Sequence, residues 1–215
     1  MSIRTALKKL ADMVFPYIPR CVVCGVEKRV EVYLCPDCAA ELELRRAGAT
    51  VAGAFAAYSA YEYGGAAAKL VQRYKYGGDK WLRKFMADAI IETVDMSAVD
   101  AVCHVPLHDK RRKSRGFDQA AELAQSISAQ TGKPYIPALR RVRNTPTQTK
   151  LSAHQRQENM RGAFEIACPV SGRVLLVDDV LTTGATAAEC AAALMAAGAA
   201  SVMVATFARA EMELA

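Results

Sequence analysis

Apolar positions along this 215-residue chain follow two periods that take turns. Three short runs, Ala101–Val105, Val174–Val177 and Ser201–Phe207, are apolar nearly throughout and predict buried strands. Pro106 closes the first of them. Elsewhere the apolar residues recur at helical spacing. Ala66–Tyr76 predicts a helix stopped by Gly77-Gly78, and Lys80–Val94 a second, with Leu82, Phe85, Met86, Ala89 and Ile90 sharing a face. Asp118–Thr131 carries Ala120, Leu123, Ala124 and Ile127 in the same way, and Ala185–Ala197 is an Ala-rich helix ended by Gly198. Val51–Tyr63 predicts an entering strand and Tyr135–Ile136 a short one. Strands alternating with helices predict an α/β fold, a parallel sheet with helices on both faces.

Where the periodicity fails, the chain is polar. The residues after Val105 read as a basic loop, and Arg140–Gln155 reads as a second, with a short helix expected over Ser152–Arg161. Compact domains seldom keep a loop of that length without a use for it. Near the start, Ile3, Leu7, Leu10 and Val14 align on one face of a helix over Ser2–Val14, with Arg4, Lys8 and Lys9 elsewhere. This predicts a terminal helix packed on its own protein, contact with a membrane surface being the alternative. A short linker is expected at Gly48–Thr50. It separates an N-terminal module, residues 1–47, from a larger domain, residues 48–215.

Composition narrows the class. The chain is 52% hydrophobic and 23% charged, enough to bury a core and too apolar for wholesale disorder. No apolar run reaches the roughly 18 residues of a membrane span, and the start lacks the apolar core of a secretory signal, so a cytoplasmic protein is expected. The net charge of +6 is unevenly spread. Residues 101–161 hold 12 Lys/Arg against 4 Asp/Glu, so the positive field is local and points to an anionic ligand.

Four of the seven cysteines stand in two C-x-x-C pairs, Cys21/Cys24 and Cys35/Cys38. Each pair presents two thiolates from one turn. Two pairs complete a tetrahedral S₄ site, which suits structural Zn²⁺. An iron–sulfur cluster or a redox dithiol is the alternative with the same spacing. So small a module buries too little apolar surface to fold alone, and metal would supply the stability.

The segment most specific in its chemistry is VLLVDDVLTTGATA, Val174–Ala187. An apolar strand delivers Asp178 and Asp179 to its C-terminal end, where open parallel sheets bind ligands. Thr182, Thr183, Gly184, Ala185 and Thr186 then open a helix. Gly184 admits close backbone approach, and successive N–H groups and hydroxyls surround a phosphate. Carboxylates beside a phosphate cradle repel the ligand unless they bind something else. Ribose hydroxyls, directly or through Mg²⁺, meet that need. The basic loop offers Lys110, Arg111, Arg112, Lys113 and Arg115 around a turn, either as a pyrophosphate site or as a solvated surface. His104 and His108 show no partner in sequence that would make either catalytic.

These segments together resemble the type I phosphoribosyltransferases and, more narrowly, the ComF family, associated with natural competence and DNA uptake. The resemblance runs through CVVC and LCPDC, YKYGG at Tyr74–Gly78, VPLHDKRRKSRGFDQA at Val105–Ala120, TPTQTKLSAHQRQENMRGAF at Thr145–Phe164, the Asp-Asp loop and AGAASVMVATFARA. Where the family usually reads R-G-F-N-Q, this chain has Asp118, which retains the capping role. The resemblance implies a zinc ribbon followed by a type I phosphoribosyltransferase-like domain that binds phosphoribosyl pyrophosphate with Mg²⁺. It implies ribose contacts from Asp178 and Asp179, the 5′-phosphate at Thr182–Thr186 and the pyrophosphate at Lys110–Arg115. An enzyme in nucleotide metabolism or DNA uptake is the first expectation. The alternative is a non-catalytic module that keeps the phosphoribose site and engages single-stranded DNA or DNA-handling proteins. In that reading Arg140, Arg141, Arg143, Lys150 and Arg156 supply the charge, and Tyr58, Tyr61, Tyr74 and Tyr76 the stacking rings.

Overall fold

The computed structural model describes residues 20–26, 34–143 and 162–210. The helices expected over Ser2–Val14 and Ser152–Arg161 lie outside these residues, as do Lys150 and Arg156. The chain divides into two compact units, Met1–Leu44 and Arg45–Ala215. The first contains one described helix, α1 (Pro36–Glu43), which Pro36 starts at its first turn.

The second unit is built on a five-stranded sheet. In chain order its strands are β1 (Ala49–Ala52), β2 (Phe55–Glu62), β3 (Ala101–His104), β6 (Arg173–Leu181) and β7 (Ser201–Arg209). The spatial order is β1-β2-β7-β6-β3, with β2, β7, β6 and β3 parallel and β1 antiparallel at the edge. A separate two-stranded ribbon pairs β4 (Leu139–Arg141) with β5 (Phe164–Ile166). The helices are α2 (Gly65–Tyr76), α3 (Leu82–Ile91), α4 (Asp109–Arg115), α5 (Gln119–Thr131) and α6 (Ala185–Ala196).

The period of two along β6 places a helix layer on each face. Val174 and Leu176 pack with Cys190, Ala191 and Leu194 of α6. Leu175 and Val177, of opposite parity, turn to the other face. There α3 and α5 cover the sheet, with the Phe85 ring 6.3 Å from that of Phe207. A strand buried on both faces must be apolar at every position, which is why Val174–Val177 shows no alternation.

Several sequence expectations change. Val51–Tyr63 falls across the hairpin of β1 and β2 rather than one strand, and Tyr135 forms an isolated bridge to Val102 rather than a strand. Arg140 and Arg141 of the expected loop belong to β4. The linker at Gly48–Thr50 is drawn into β1, because the chain folds back as a hairpin and Ala49 pairs with Tyr58. The basic segment after β3 is helix α4 rather than a loop. His108 caps it, its Nδ1 accepting the Lys110 N–H at 3.2 Å, and Gly116 ends it at φ 81°. Seven residues with no buried side chain carry no amphipathic pattern, so the capping residues were the available signal.

Polar groups inside the sheet are paired. Ser59 and Thr206 are both fully buried, and their hydroxyls lie 2.8 Å apart between β2 and β7. Thr206 Oγ1 in turn donates to the Ala208 carbonyl at 3.1 Å. Thr206→Val leaves the Ser59 hydroxyl buried without its partner and is expected to cost about 1–3 kcal/mol in urea unfolding. Adding Ser59→Ala removes the orphaned group, so the double variant is expected to be less destabilised than the sum of the singles. Simple additivity would contradict the coupling.

Candidate active site and candidate metal centre

The C-terminal end of β6 opens into a cavity of about 830 Å³. Its lining brings together Asp178, Asp179, Thr182, Gly184 and Thr186 from the acid strand and its loop, and Arg111 and Arg115 from α4. Thr183 and Ala185 do not line it, nor do Lys110, Arg112 and Lys113. The helical form of α4 explains the selection. Positions four apart share a face, so Arg111 and Arg115 point together, while Arg112 pairs outside with Asp109 at 3.0 Å.

The two carboxylates are not equivalent. Asp179 is 3% exposed, and its Oδ2 is 2.7 Å from the Lys75 ammonium. Asp178 is half-buried, and its Oδ1 accepts the Asp179 backbone N–H at 2.8 Å. Burial pushes the Asp178 carboxyl well above the usual carboxylate range, and the Asp179 charge adds to that, while Lys75 works against both. For Lys75, burial favours the neutral amine, but the attraction of Asp179 dominates and holds the group charged.

The following loop takes the shape that its composition allows. Gly184 has φ 74°, a left-handed conformation costly for any residue with a Cβ, and it opens α6 without a side-chain cap. On the facing wall Asp118 holds two elements at once. Its Oδ1 accepts from the Ala121 N–H at 3.1 Å, capping α5, and its Oδ2 accepts from the Leu107 N–H at 2.9 Å. The first bond is the cap that its place in the sequence led one to expect, and the second ties it to the segment that follows β3.

Two lining residues, Lys75 and Gln119, were not singled out from sequence, and Tyr76 and Arg141 were named there only as a stacking ring and as a charge for single-stranded DNA. The YKYGG segment carried the signal for Lys75, but no chemistry was attached to that position. Tyr76 is 74% exposed, and Arg115 both donates to its hydroxyl at 3.1 Å and sits over its ring at 4.9 Å. Gln119 is buried, and its side-chain oxygen has no hydrogen-bond partner among the described residues. Arg141 lies over the Phe164 ring at 5.5 Å, and burial, followed by the Arg111 charge, lowers its pKa.

The remaining candidates fall elsewhere. Strand alternation separates Arg140 from Arg141, and Arg140 pairs with Glu165 at 2.7 Å. His104 is buried, with Nδ1 2.9 Å from the Tyr135 hydroxyl, and burial lowers its pKa. It does not line the cavity. Of the four tyrosines considered for stacking, Tyr61 and Tyr74 are core residues, and Tyr74 donates to the Gln119 carbonyl at 2.9 Å.

In the N-terminal unit the sulfur atoms of Cys21, Cys24, Cys35 and Cys38 all lie within 4.8 Å of one another. A tetrahedral zinc with Zn–S bonds of about 2.3 Å has sulfur–sulfur edges of about 3.8 Å, and Cys24 and Cys35 are 3.7 Å apart. A turn closed by the Gly25 N–H donating to the Cys21 carbonyl at 2.8 Å supplies one pair, and the first turn of α1 supplies the other. Burial disfavours the Cys21 thiolate, but hydrogen bonds from the Cys24, Cys35 and Val23 backbone overcome it and bring the thiol down to about 6. Burial and the neighbouring sulfurs push Cys38 up. A dication removes that mutual opposition, and the donor set fits Zn²⁺.

The parallel sheet, the acid pair at its C-terminal edge and the Thr/Gly loop opening a helix define a phosphoribosyltransferase-like α/β protein. No family model matches the chain. Among curated relatives, the DNA utilization protein YhgH of Salmonella typhi is 32% identical over 198 residues, covering 86% of this chain and 87% of that protein. The YhgH protein of Escherichia coli O157:H7 is 41% identical over 114 residues, which span 52% of this chain and only 50% of that protein. Competence protein F of Haemophilus influenzae is 33% identical over 153 residues, 66% of this chain and 67% of that one. The chain belongs to the ComF family. Among solved structures, the glutamine phosphoribosylpyrophosphate amidotransferase from B. subtilis matches 57% of this chain and 24% of its own at 28% identity and a TM-score of 0.37. The orotate phosphoribosyltransferase from Aeropyrum pernix matches 64% and 62% at 19% identity and a TM-score of 0.36. No helix among the described residues is long and apolar enough to cross a membrane.

Protein purified without added metal is expected to carry one zinc per chain by elemental analysis. Cys24→Ser is expected to lose the metal and to destabilise the N-terminal unit. Metal-free protein of unchanged stability would contradict the assignment.

Proposed function

We propose that the cavity binds phosphoribosyl pyrophosphate as its Mg²⁺ complex and that the protein transfers the phosphoribosyl group. One observation carries this reading: a carboxylate pair and a Thr/Gly loop on one wall of a single cavity face the Arg111–Arg115 face of α4. Ribose needs hydrogen-bond acceptors, which Asp178 and Asp179 supply. The 5′-phosphate needs donors at close range, which the backbone and hydroxyls of residues 182–186 supply around the positive-φ Gly184. The pyrophosphate needs cations, and Arg111 and Arg115 are the two cationic α4 residues that line the cavity.

The reaction breaks the bond from ribose C1 to the pyrophosphate oxygen, which keeps the electron pair, and forms a bond from C1 to the acceptor's lone pair. It requires no activated Ser, Cys or His. The arginines stabilise charge growing on the leaving group, and the carboxylates lie beside an oxocarbenium-like sugar. The wall that carries Arg141 adds positive field and excludes water.

A second reading is favoured by the names of the relatives, which refer to DNA utilization and competence. In it the phosphoribose site serves a non-catalytic module acting with single-stranded DNA or a DNA-handling protein. Release of pyrophosphate separates the two readings.

Calorimetry with phosphoribosyl pyrophosphate and Mg²⁺ is expected to show one site per chain, followed by pyrophosphate release when the correct acceptor is present. Asp178→Asn combined with Asp179→Asn is expected to abolish binding without loss of the fold. Gly184→Val is expected to do the same, through backbone strain at φ 74°. Unchanged affinity in the double Asn variant would show that the ribose assignment is wrong.

A further inference from the structure

The charges around the cavity do not balance. Among the described residues, Lys75, Lys80, Arg111, Arg115 and Arg141 line it against two carboxylates, Asp178 and Asp179. Lys75 stands apart from the other four in being tied to the acid pair, with its Nζ 2.7 Å from Asp179 Oδ2 and its side chain 20% exposed. An ammonium has three N–H donors, and the ion pair with Asp179 engages it through a single carboxylate oxygen, Oδ2. The rest of the group still borders the cavity.

Its neighbours indicate what it meets there. Lys75 ends α2 beside Tyr76, and the Tyr76 hydroxyl accepts from Arg115 of α4 at 3.1 Å. The Arg115 charge is close enough to oppose that of Lys75. Two cations are therefore held near each other on one wall, each by an anchor that leaves donors over. An anion of more than one charge placed between them relieves their repulsion. The loop at residues 182–186, by contrast, offers only neutral donors.

We propose that Lys75 is a pyrophosphate-binding residue that gives one N–H to Asp179 and turns its remaining donors to the leaving group. This assignment rests on the phosphoribosyl pyrophosphate reading of the cavity. Lys75 then links the two ends of the reaction. As the C1–oxygen bond breaks and pyrophosphate takes the electron pair, the new negative charge develops beside an ammonium that Asp179 holds in place. The acceptor's lone pair forms the new bond at C1.

The test is calorimetry on the full chain with three ligands: phosphoribosyl pyrophosphate with Mg²⁺, inorganic pyrophosphate with Mg²⁺, and ribose 5-phosphate. Lys75→Met is expected to weaken both pyrophosphate-containing ligands by about 10- to 100-fold, the range for a lost charged hydrogen bond. Ribose 5-phosphate is expected to change by less than about 3-fold on the same scale. Lys75→Arg is expected to recover most of the loss. Because Lys75→Met leaves the Asp179 carboxylate buried and unpaired, a second variant, Lys75→Met with Asp179→Asn, removes both charges. It is expected to bind inorganic pyrophosphate more weakly than Asp179→Asn alone. Equal loss for all three ligands, or a double variant that matches Asp179→Asn, would reduce Lys75 to a support for Asp179 and overturn the proposal. Wild-type protein that binds inorganic pyrophosphate but neither ribose ligand would overturn the phosphoribose reading and leave the anion role of Lys75 standing. Binding of all three ligands with Lys75→Met unaffected would overturn the Lys75 assignment alone. Wild-type protein that binds none of the three would overturn both.

Discussion

Two adjacent carboxylates at the end of a buried strand are the constraint around which the larger unit is arranged. Strand β6 is apolar because it lies between β7 and β3 with helices on both faces. Toward its C-terminal end it carries Asp178 and Asp179, and Asp179 is still buried there. Neighbouring charges of one sign in a half-dry cleft are unfavourable unless a cation shares the space. Lys75 supplies it from the end of α2, on the 2.7 Å ion pair with Asp179.

A few specific polar bonds join the walls of the cavity. Arg115 joins α4 to Tyr76, Lys75 joins α2 to β6, and Asp118 joins the segment that follows β3 to the start of α5. Each bond uses a side chain that also borders the cavity or lies next to one that does. The rigidity of the site and its charge therefore come from the same residues. The N-terminal unit meets a different constraint. Its sulfur cluster brings four thiols within 4.8 Å of one another, a donor set that fits a bound cation.

Helix α4 shows how local form alters a functional reading. As a loop, five consecutive or nearly consecutive cations appear equally available. As a helix of seven residues, α4 presents Arg111 and Arg115 to the cavity and leaves Lys110, Arg112 and Lys113 outside the lining. The same logic divides Arg140 from Arg141 on β4, where a period of two sends neighbours to opposite sides.

The sequence by itself determined the elements whose patterns are strong and local. The fully apolar strands, the longer helices, the cap at Asp118, the cysteine spacing and the order strand, acid pair, Thr/Gly loop, helix were all legible, because each depends on residues a few positions apart. Only the tertiary structure decided which residues share the cavity. Lys75 and Tyr76 come from the end of α2, Gln119 from α5 and Arg141 from β4, and no period or spacing connects them to Asp179. A side chain's role in a site depends on what the sheet order and helix packing place opposite it, and for Lys75 that partner lies on a strand more distant in sequence than any local pattern reaches.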